Sequence, residues 1–251
     1  MRIAWLSSNI FGYELLKESL KLELNFNIVA IITLSERATT VMYDAIKRRK
    51  WYEFGIPVYE IENINNEVDM LRNLHLDMII MCGWRQVLKK EVLGVPKKGI
   101  INFHPTLLPK GRGSAPIINT ILEGWKESGV TMYFVDEGID RGDIIGQERF
   151  EVEEDNYVID IYNKVVISGK KLVRKHLPLL VTGKSARIPQ NDAEATYFKR
   201  RTLKDNEIDL DMDSIDIIYR KIRAFSKPYR GAYIRLGNKK LIIWNGEVSE
   251  H

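Results

Sequence analysis

Short apolar runs rich in β-branched residues alternate with helical periods over roughly the first 150 residues of the chain. Residues 3–6, 27–33 and 76–82 read as buried strands, each bounded by polar or turn residues. Phe11, Leu15, Leu16, Leu20 and Leu22 fall on one face of a helix over residues 11–22. A second helix is expected between residues 39 and 54, then a short strand over 55–59 and a third helical period over 66–74. This alternation predicts an α/β fold, a Rossmann-like open and mostly parallel sheet with helices on both faces. Residues 130–135 and 144–152 read as two further strands, separated by a loop long enough to line a site. A long helix over 156–180 carries Ile159, Ile161, Val165, Val166, Leu172 and Leu177 on its apolar side. Beyond a polar connector at 183–196, residues 215–225 are amphipathic, and 232–236 with 240–244 form a hairpin turning at Gly237-Asn238. The expected division is a main α/β domain over 1–190 and a small appendage, a helix plus β-hairpin, over 191–251.

Composition changes this picture little. The chain has 251 residues, 45% hydrophobic and 29% charged, which suits a globular protein with a sizeable core. A formal charge of +4 permits an anionic small molecule and does not by itself imply nucleic acid. The single cysteine, Cys82, lies in an apolar run and reads as a small buried hydrophobe, which leaves no disulfide framework. The apolar run after Met1 is too short for a signal peptide, and no stretch approaches the roughly 18 apolar residues of a membrane span. A cytoplasmic, soluble protein without a membrane span is expected.

The candidate chemistry lies in Asn102-Phe103-His104-Pro105 and in Asp136-Glu137-Gly138-Ile139-Asp140-Arg141-Gly142-Asp143. Asn102 and His104 are two apart, so on an extended backbone both side chains point the same way, where two N–H donors could converge on one oxygen. With a carboxylate at Asp140, the set can stabilise an oxyanion and move a proton. No His/Cys/Glu cluster has metal-ligand spacing. His75, His176 and His251 read as structural. Gly111-Arg112-Gly113 fits a phosphate loop and a simple turn equally well, whereas Ser7-Ser8-Asn9 reads more as a helix N-cap than as an anion site. Lys47-Arg48-Arg49-Lys50 reads first as a solvated face and second as a phosphate contact. Tyr229, Tyr233 and Trp244 pack either the appendage or a dimer interface.

These motifs make the chain resemble the folate-dependent formyltransferase family. Asn102, His104 with Pro105, and Asp140 followed by Gly142 match its Asn-x-His-Pro and downstream Asp-x-Gly motifs, and Thr106-Leu107-Leu108-Pro109 stands where Ser-Leu-Leu-Pro is usual. The resemblance covers residues 1–190 and reaches the tail at Ala195-Thr196-Tyr197 and at 222–229. It implies N10-formyltetrahydrofolate as co-substrate, no metal, and Asn102, His104 and Asp140 as catalytic residues. It also implies a folate site formed by Trp84, Arg85, Val87 and Leu88, closed on the other side by Asp136 and Gly138.

The family divides by acceptor. Lys110-Gly111-Arg112-Gly113-Ser114-Ala115-Pro116 and Pro228-Tyr229-Arg230-Gly231-Ala232-Tyr233 look most like sugar N-formyltransferases, although Arg230 replaces a usual proline. The resemblance therefore implies a nucleotide-linked amino sugar as partner and, by family habit, a homodimer through the appendage. A methionyl-tRNA formyltransferase is the alternative. The short tail and the plain Leu34-to-Val41 segment, without the basic insertion of the tRNA enzymes, argue against it. A folate-binding module without catalysis would have no use for the oxyanion donors.

Overall fold

The computed structural model describes residues 1–40 and 43–249. In chain order it contains β1 (Arg2–Leu6), α1 (Ile10–Ser19), β2 (Asn27–Leu34), β3 (Val58–Ile61), α2 (Val68–Asn73) and β4 (Met78–Cys82). There follow α3 (Lys90–Leu93), β5 (Ile100–His104), β6 (Arg112–Gly113), α4 (Pro116–Leu122), β7 (Glu127–Phe134) and β8 (Ile144–Glu151). The chain continues through α5 (Val158–Val181), β9 (Tyr197–Phe198), α6 (Ile215–Phe225), β10 (Ala232–Leu236) and β11 (Lys239–Ile243).

The main sheet runs β3-β2-β1-β4-β5-β7-β8, and its first five strands are parallel. β7 and β8 join antiparallel. This is the open, mostly parallel α/β sheet that the alternating pattern predicts. Strand alternation sorts the core onto two faces. Ile3, Trp5, Ile80, Ile101, Phe103, Val130 and Met132 pack with α1 and α5 on one face. Ala4, Leu6, Ile79, Met81 and Ile100 pack with Leu71 of α2 and Val92 of α3 on the other. Phe103 belongs to the first face, so Asn102 and His104, one residue to either side, belong to the second.

The helix expected between residues 39 and 54 is a correction. Val41 and Met42 lie outside the described residues, as does His251, and among the described residues of that segment the only helical piece is a 3-10 stretch, Arg48–Phe54. The backbone before it pairs with the chain after β1 instead: Ile10 N–H donates to Asp44 O, Ile46 N–H donates to Ser8 O, and Asn9 bridges Ala45. Helical bonds cannot form at the Asp44 carbonyl and Ile46 amide while a neighbouring segment engages them. The third helical period, over 66–74, is present as α2, preceded by a 3-10 turn at Ile64–Asn66.

The segment read as a connector also takes structure. Arg112 and Gly113 of β6 pair with Tyr197 and Phe198 of β9, and Ile188 bridges Ile144. The tail aromatics are packing groups: Tyr229 meets Tyr43 edge-on, and Tyr233 is buried. No described helix is long and apolar enough to cross a membrane.

Candidate active site

The antiparallel register of β5 and β7 places Tyr133 opposite Asn102 and Thr131 opposite His104. A hydrogen-bonded chain follows from that register. Asn102 Nδ2 donates to the Tyr133 hydroxyl at 2.8 Å, and that hydroxyl donates to Asp140 Oδ1 at 2.6 Å. Asp140 Oδ2 accepts from Gly113 N–H at 2.8 Å and stands 3.5 Å from His104 Nδ1. His104 Nε2 donates to Gly111 O at 2.7 Å, which places a proton on that nitrogen.

The structure thus brings Asn102, His104 and Asp140 together, though not as two donors aimed at one oxygen. In this state one amide hydrogen of Asn102 goes to Tyr133 and Nε2–H goes to Gly111. The second Asn102 hydrogen is uncommitted, and its Oδ1 is buried with no partner among the described residues. Burial, reinforced by the neighbouring Asp140 carboxylate, raises the Tyr133 hydroxyl well above its ordinary pKa. Tyr133 is therefore a neutral donor at physiological pH. The arrangement can donate to a developing oxyanion, accept from an incoming N–H, and hold a proton between imidazole and carboxylate.

Asp140 sits at φ +52, a left-handed conformation that Asp adopts more readily than most residues. A clamp holds it there. Gln190 Nε2 donates to Asp140 O at 2.9 Å and to Gly142 O at 2.8 Å, and its Oε1 accepts from Arg112 Nε and Nη2 at 3.1 and 2.8 Å. The fully buried Arg112 also donates to Tyr197 and pairs with Asp192 at 2.9 Å. One guanidinium thereby ties the loop carrying Gly111 and Gly113 to the loop carrying Asp140. This settles the role of Gly111-Arg112-Gly113. Gly111 N–H donates to Thr196 Oγ1, Arg112 N–H to Thr196 O and Gly113 N–H to Asp140, so no amide is left to cradle a phosphate. Asn9 likewise caps α1 by accepting from Gly12 N–H.

The six residues expected around folate have diverse surroundings. Leu88 is a core side chain, and Val87 is 77% exposed. Arg85 Nη2 is tied to the buried Asp44 carboxylate at 3.0 Å, which limits what it can offer a ligand. Asp136 Oδ1 accepts from Gly138 N–H at 2.9 Å, closing a tight turn. Trp84 follows β4, and its indole N–H is buried without a partner among the described residues. That donor and Asn102 Oδ1 lie on neighbouring strand ends, where polar groups of a ligand would satisfy both. Among the described residues no group of three or more His, Cys, Asp or Glu could hold a metal ion.

Tyr133, Gln190 and the clamp function of Arg112 are absent from the residues the sequence pointed to. Tyr133 carries no local signal beyond its place in an apolar strand, and only the β5–β7 register reveals it.

Comparison with known proteins follows from this geometry. Residues 1–177 match the formyl transferase family, and residues 201–251 match the formyl transferase C-terminal domain. The bifunctional polymyxin resistance protein ArnA of Wigglesworthia glossinidia brevipalpis is 33% identical over 231 residues, 91% of this chain. The chain spans only 35% of that protein's length. A methionyl-tRNA formyltransferase of Staphylococcus epidermidis is 34% identical over 226 residues, covering 88% of this chain and 72% of the relative. A 4-N formyltransferase from Francisella tularensis superposes with a TM-score of 0.78 at 23% identity, over 99% of this chain and 98% of that one. The N-formyltransferase of Helicobacter canadensis, solved in complex with folinic acid and dTDP-3-aminofucose, superposes at 0.70 with 23% identity, over 89% and 80%. At these identities the structural likeness establishes the shared fold.

Proposed function

The chain belongs to the formyl transferase family and is a formyltransferase, and we propose that it carries the formyl group of N10-formyltetrahydrofolate to the primary amine of a nucleotide-linked amino sugar. The observation that carries the chemistry is the Asn102–Tyr133–Asp140–His104 cluster with its unpartnered amide oxygen. When bound, the folate supplies an activated formyl carbon. The amine attacks that carbon, the carbonyl pair moves onto oxygen, and the bond to the folate nitrogen then breaks as that nitrogen gains a proton. Asn102 has one free N–H for the oxygen. His104 Nδ1, facing Asp140, is the nitrogen placed to take the amine proton and return it to the leaving nitrogen, since Nε2–H is held by Gly111. Trp84, Asp136 and Gly138 are proposed to hold the pterin, with Arg85, Val87 and Leu88 shaping the wall behind it.

The acceptor reading is supported by a cavity of about 490 Å³ at the ends of β1 and β2. Ser8, Thr33, Ser35 and Thr40 line it with hydroxyls, and Lys47, Arg48 and Arg49 bring positive charge. Arg48 is paired with Glu36 and Glu60, whereas the side chains of Lys47 and Arg49 make no salt bridge or hydrogen bond among the described residues. β2 and β5 are three strand spacings apart in the sheet, roughly 14 Å. An extended sugar–pyrophosphate–nucleoside bridges that span, with its amine at Asn102 and its phosphates in the cavity. Neighbours that superpose over nearly all of both chains include the 4-N formyltransferase and a sugar N-formyltransferase from a Shewanella species.

A turnover assay with N10-formyltetrahydrofolate and two acceptor pools, nucleotide-linked amino sugars and methionyl-tRNA, tests the reading by mass spectrometry. A formyl mass gain on a sugar nucleotide is expected; a gain on methionyl-tRNA alone would overturn it. In the same assay, Lys47→Ala or Arg49→Ala is expected to raise KM for the sugar nucleotide about tenfold, the worth of one charge-assisted phosphate contact. KM for the folate should stay unchanged. An unaltered sugar-nucleotide KM in both variants would remove the cavity from the acceptor site.

A further inference from the structure

We propose that Tyr133 is a positioning residue for the transfer, fixing which edge of the Asn102 amide faces the reacting atoms. The inference rests on the formyl-transfer reading and not on the identity of the acceptor.

The argument is one of hydrogen-bond direction. An ionised Asp140 only accepts, so the Tyr133 hydroxyl, 2.6 Å from Oδ1, must donate its single proton there. Its oxygen can then only accept from Asn102, 2.8 Å away. The amide is compelled to turn Nδ2 toward Tyr133 and to leave Oδ1 buried and unpartnered among the described residues. An orphaned buried acceptor is unfavourable, and a free amide would flip or rotate to relieve it. Here a flip would set the carbonyl oxygen against a hydroxyl oxygen whose proton is already given to Asp140. Tyr133 is 2% exposed, packed against Leu108 and Ile144, and cannot itself turn away. Asp140 in turn is held by Gly113 N–H and by the Gln190 clamp on its backbone.

The consequence is an amide edge prepared in advance. One N–H and the carbonyl oxygen of that amide are left unpaired, the complement of an oxyanion and an amine N–H joined through one carbon. An attacking group must therefore bring a hydrogen-bond donor, as an amine N–H is, to satisfy Oδ1. A ligand lacking one leaves that oxygen orphaned. Tyr133 acts on this edge through Asn102 and keeps its own proton throughout.

The test is Tyr133→Phe in the full chain, which keeps the ring and its packing. We expect kcat to fall about 10- to 100-fold, the scale of a misplaced reacting group, with KM for N10-formyltetrahydrofolate within twofold of the parent. Placed in an Asn102→Ala background, the substitution should cause no further loss, because the residue it positions is gone. A readout that needs no acceptor is the ring ¹⁵N spectrum of His104: through Asp140, its resonances should move in Tyr133→Phe while those of His75 and His176 stay. A kcat within twofold of the parent, an undiminished loss in the Asn102→Ala background, or unmoved His104 resonances would overturn the inference. Should the parent formylate methionyl-tRNA in place of a sugar, the same comparisons on that acceptor still decide Tyr133, while the acceptor reading falls.

Discussion

Asp140→Asn is expected to lower kcat by about 10³-fold, a loss within the range of removed acid–base or oxyanion groups, while folate binding persists. Asparagine is the sharper substitution because it tolerates the left-handed φ of +52 that alanine would resist. It keeps the shape and removes two properties, the charge and the second acceptor. Asp140 receives the Tyr133 hydroxyl on one oxygen and Gly113 N–H on the other, which also faces His104 Nδ1. An asparagine amide must turn its NH₂ toward one of these donors, so one hydrogen bond becomes a donor–donor contact. If the NH₂ meets the tyrosine, the Asn102 edge loses its orientation; if it meets Gly113, the imidazole loses its acceptor. His104→Ala is expected to fail as severely by removing the proton carrier itself. Single-turnover formyl transfer measured beside a fluorescence titration with 5-formyltetrahydrofolate separates chemistry from binding. Near-normal turnover in either variant would sink the mechanism.

Gly142→Ala is the substitution expected to damage both fold and reaction. A Cβ at Gly142 would lie 1.8 Å from the carbonyl oxygen of Phe134. The obstacle is backbone of β7, whose Phe134 N–H is also bonded to Asp143 O at 2.9 Å, so it cannot yield as a side chain would. Overpacking of this kind costs about 3 kcal/mol, the upper end of the usual range, which corresponds to a melting temperature lower by roughly 6–12 °C at this chain length. Turnover should fall with it, because the displaced loop carries Asp140 and the Gly142 carbonyl that Gln190 grips. Gly94→Ala is the control, since its Cβ would meet only Lys90 O at an ordinary 3.5 Å. A Gly142→Ala protein that melts within about 2 °C of the parent would contradict the close approach. The motif glycine after the aspartate thus has a steric reason: the strand and the loop pass too near each other for any side chain.

Local pattern carried the sheet elements and the outline of the site because those signals are local. Short apolar runs bounded by polar or turn residues mark 3–6 and 76–82 as strands, and a two-residue spacing puts Asn102 and His104 on one face whatever surrounds them. Where a segment's hydrogen bonds go is not local. The run after β2 reads as a helix, yet its Ile46 amide and Asp44 carbonyl pair with the chain after β1. The motif around residue 85 does not show that Arg85 is tied to Asp44 or that Leu88 packs into the core. Tyr133 becomes a partner of Asn102 only once β7 lies antiparallel to β5 in one particular register. Gln190 and Arg112 become a clamp only when a polar stretch far along the chain folds back onto the Asp140 loop. The sequence by itself determined the α/β class, for which periodicity suffices, and the formyltransferase resemblance, which its motifs carry along with the proposed functional groups Asn102, His104 and Asp140. Tertiary structure alone decided which hydrogens those groups have free, because that depends on donors and acceptors that distant segments bring within bonding distance.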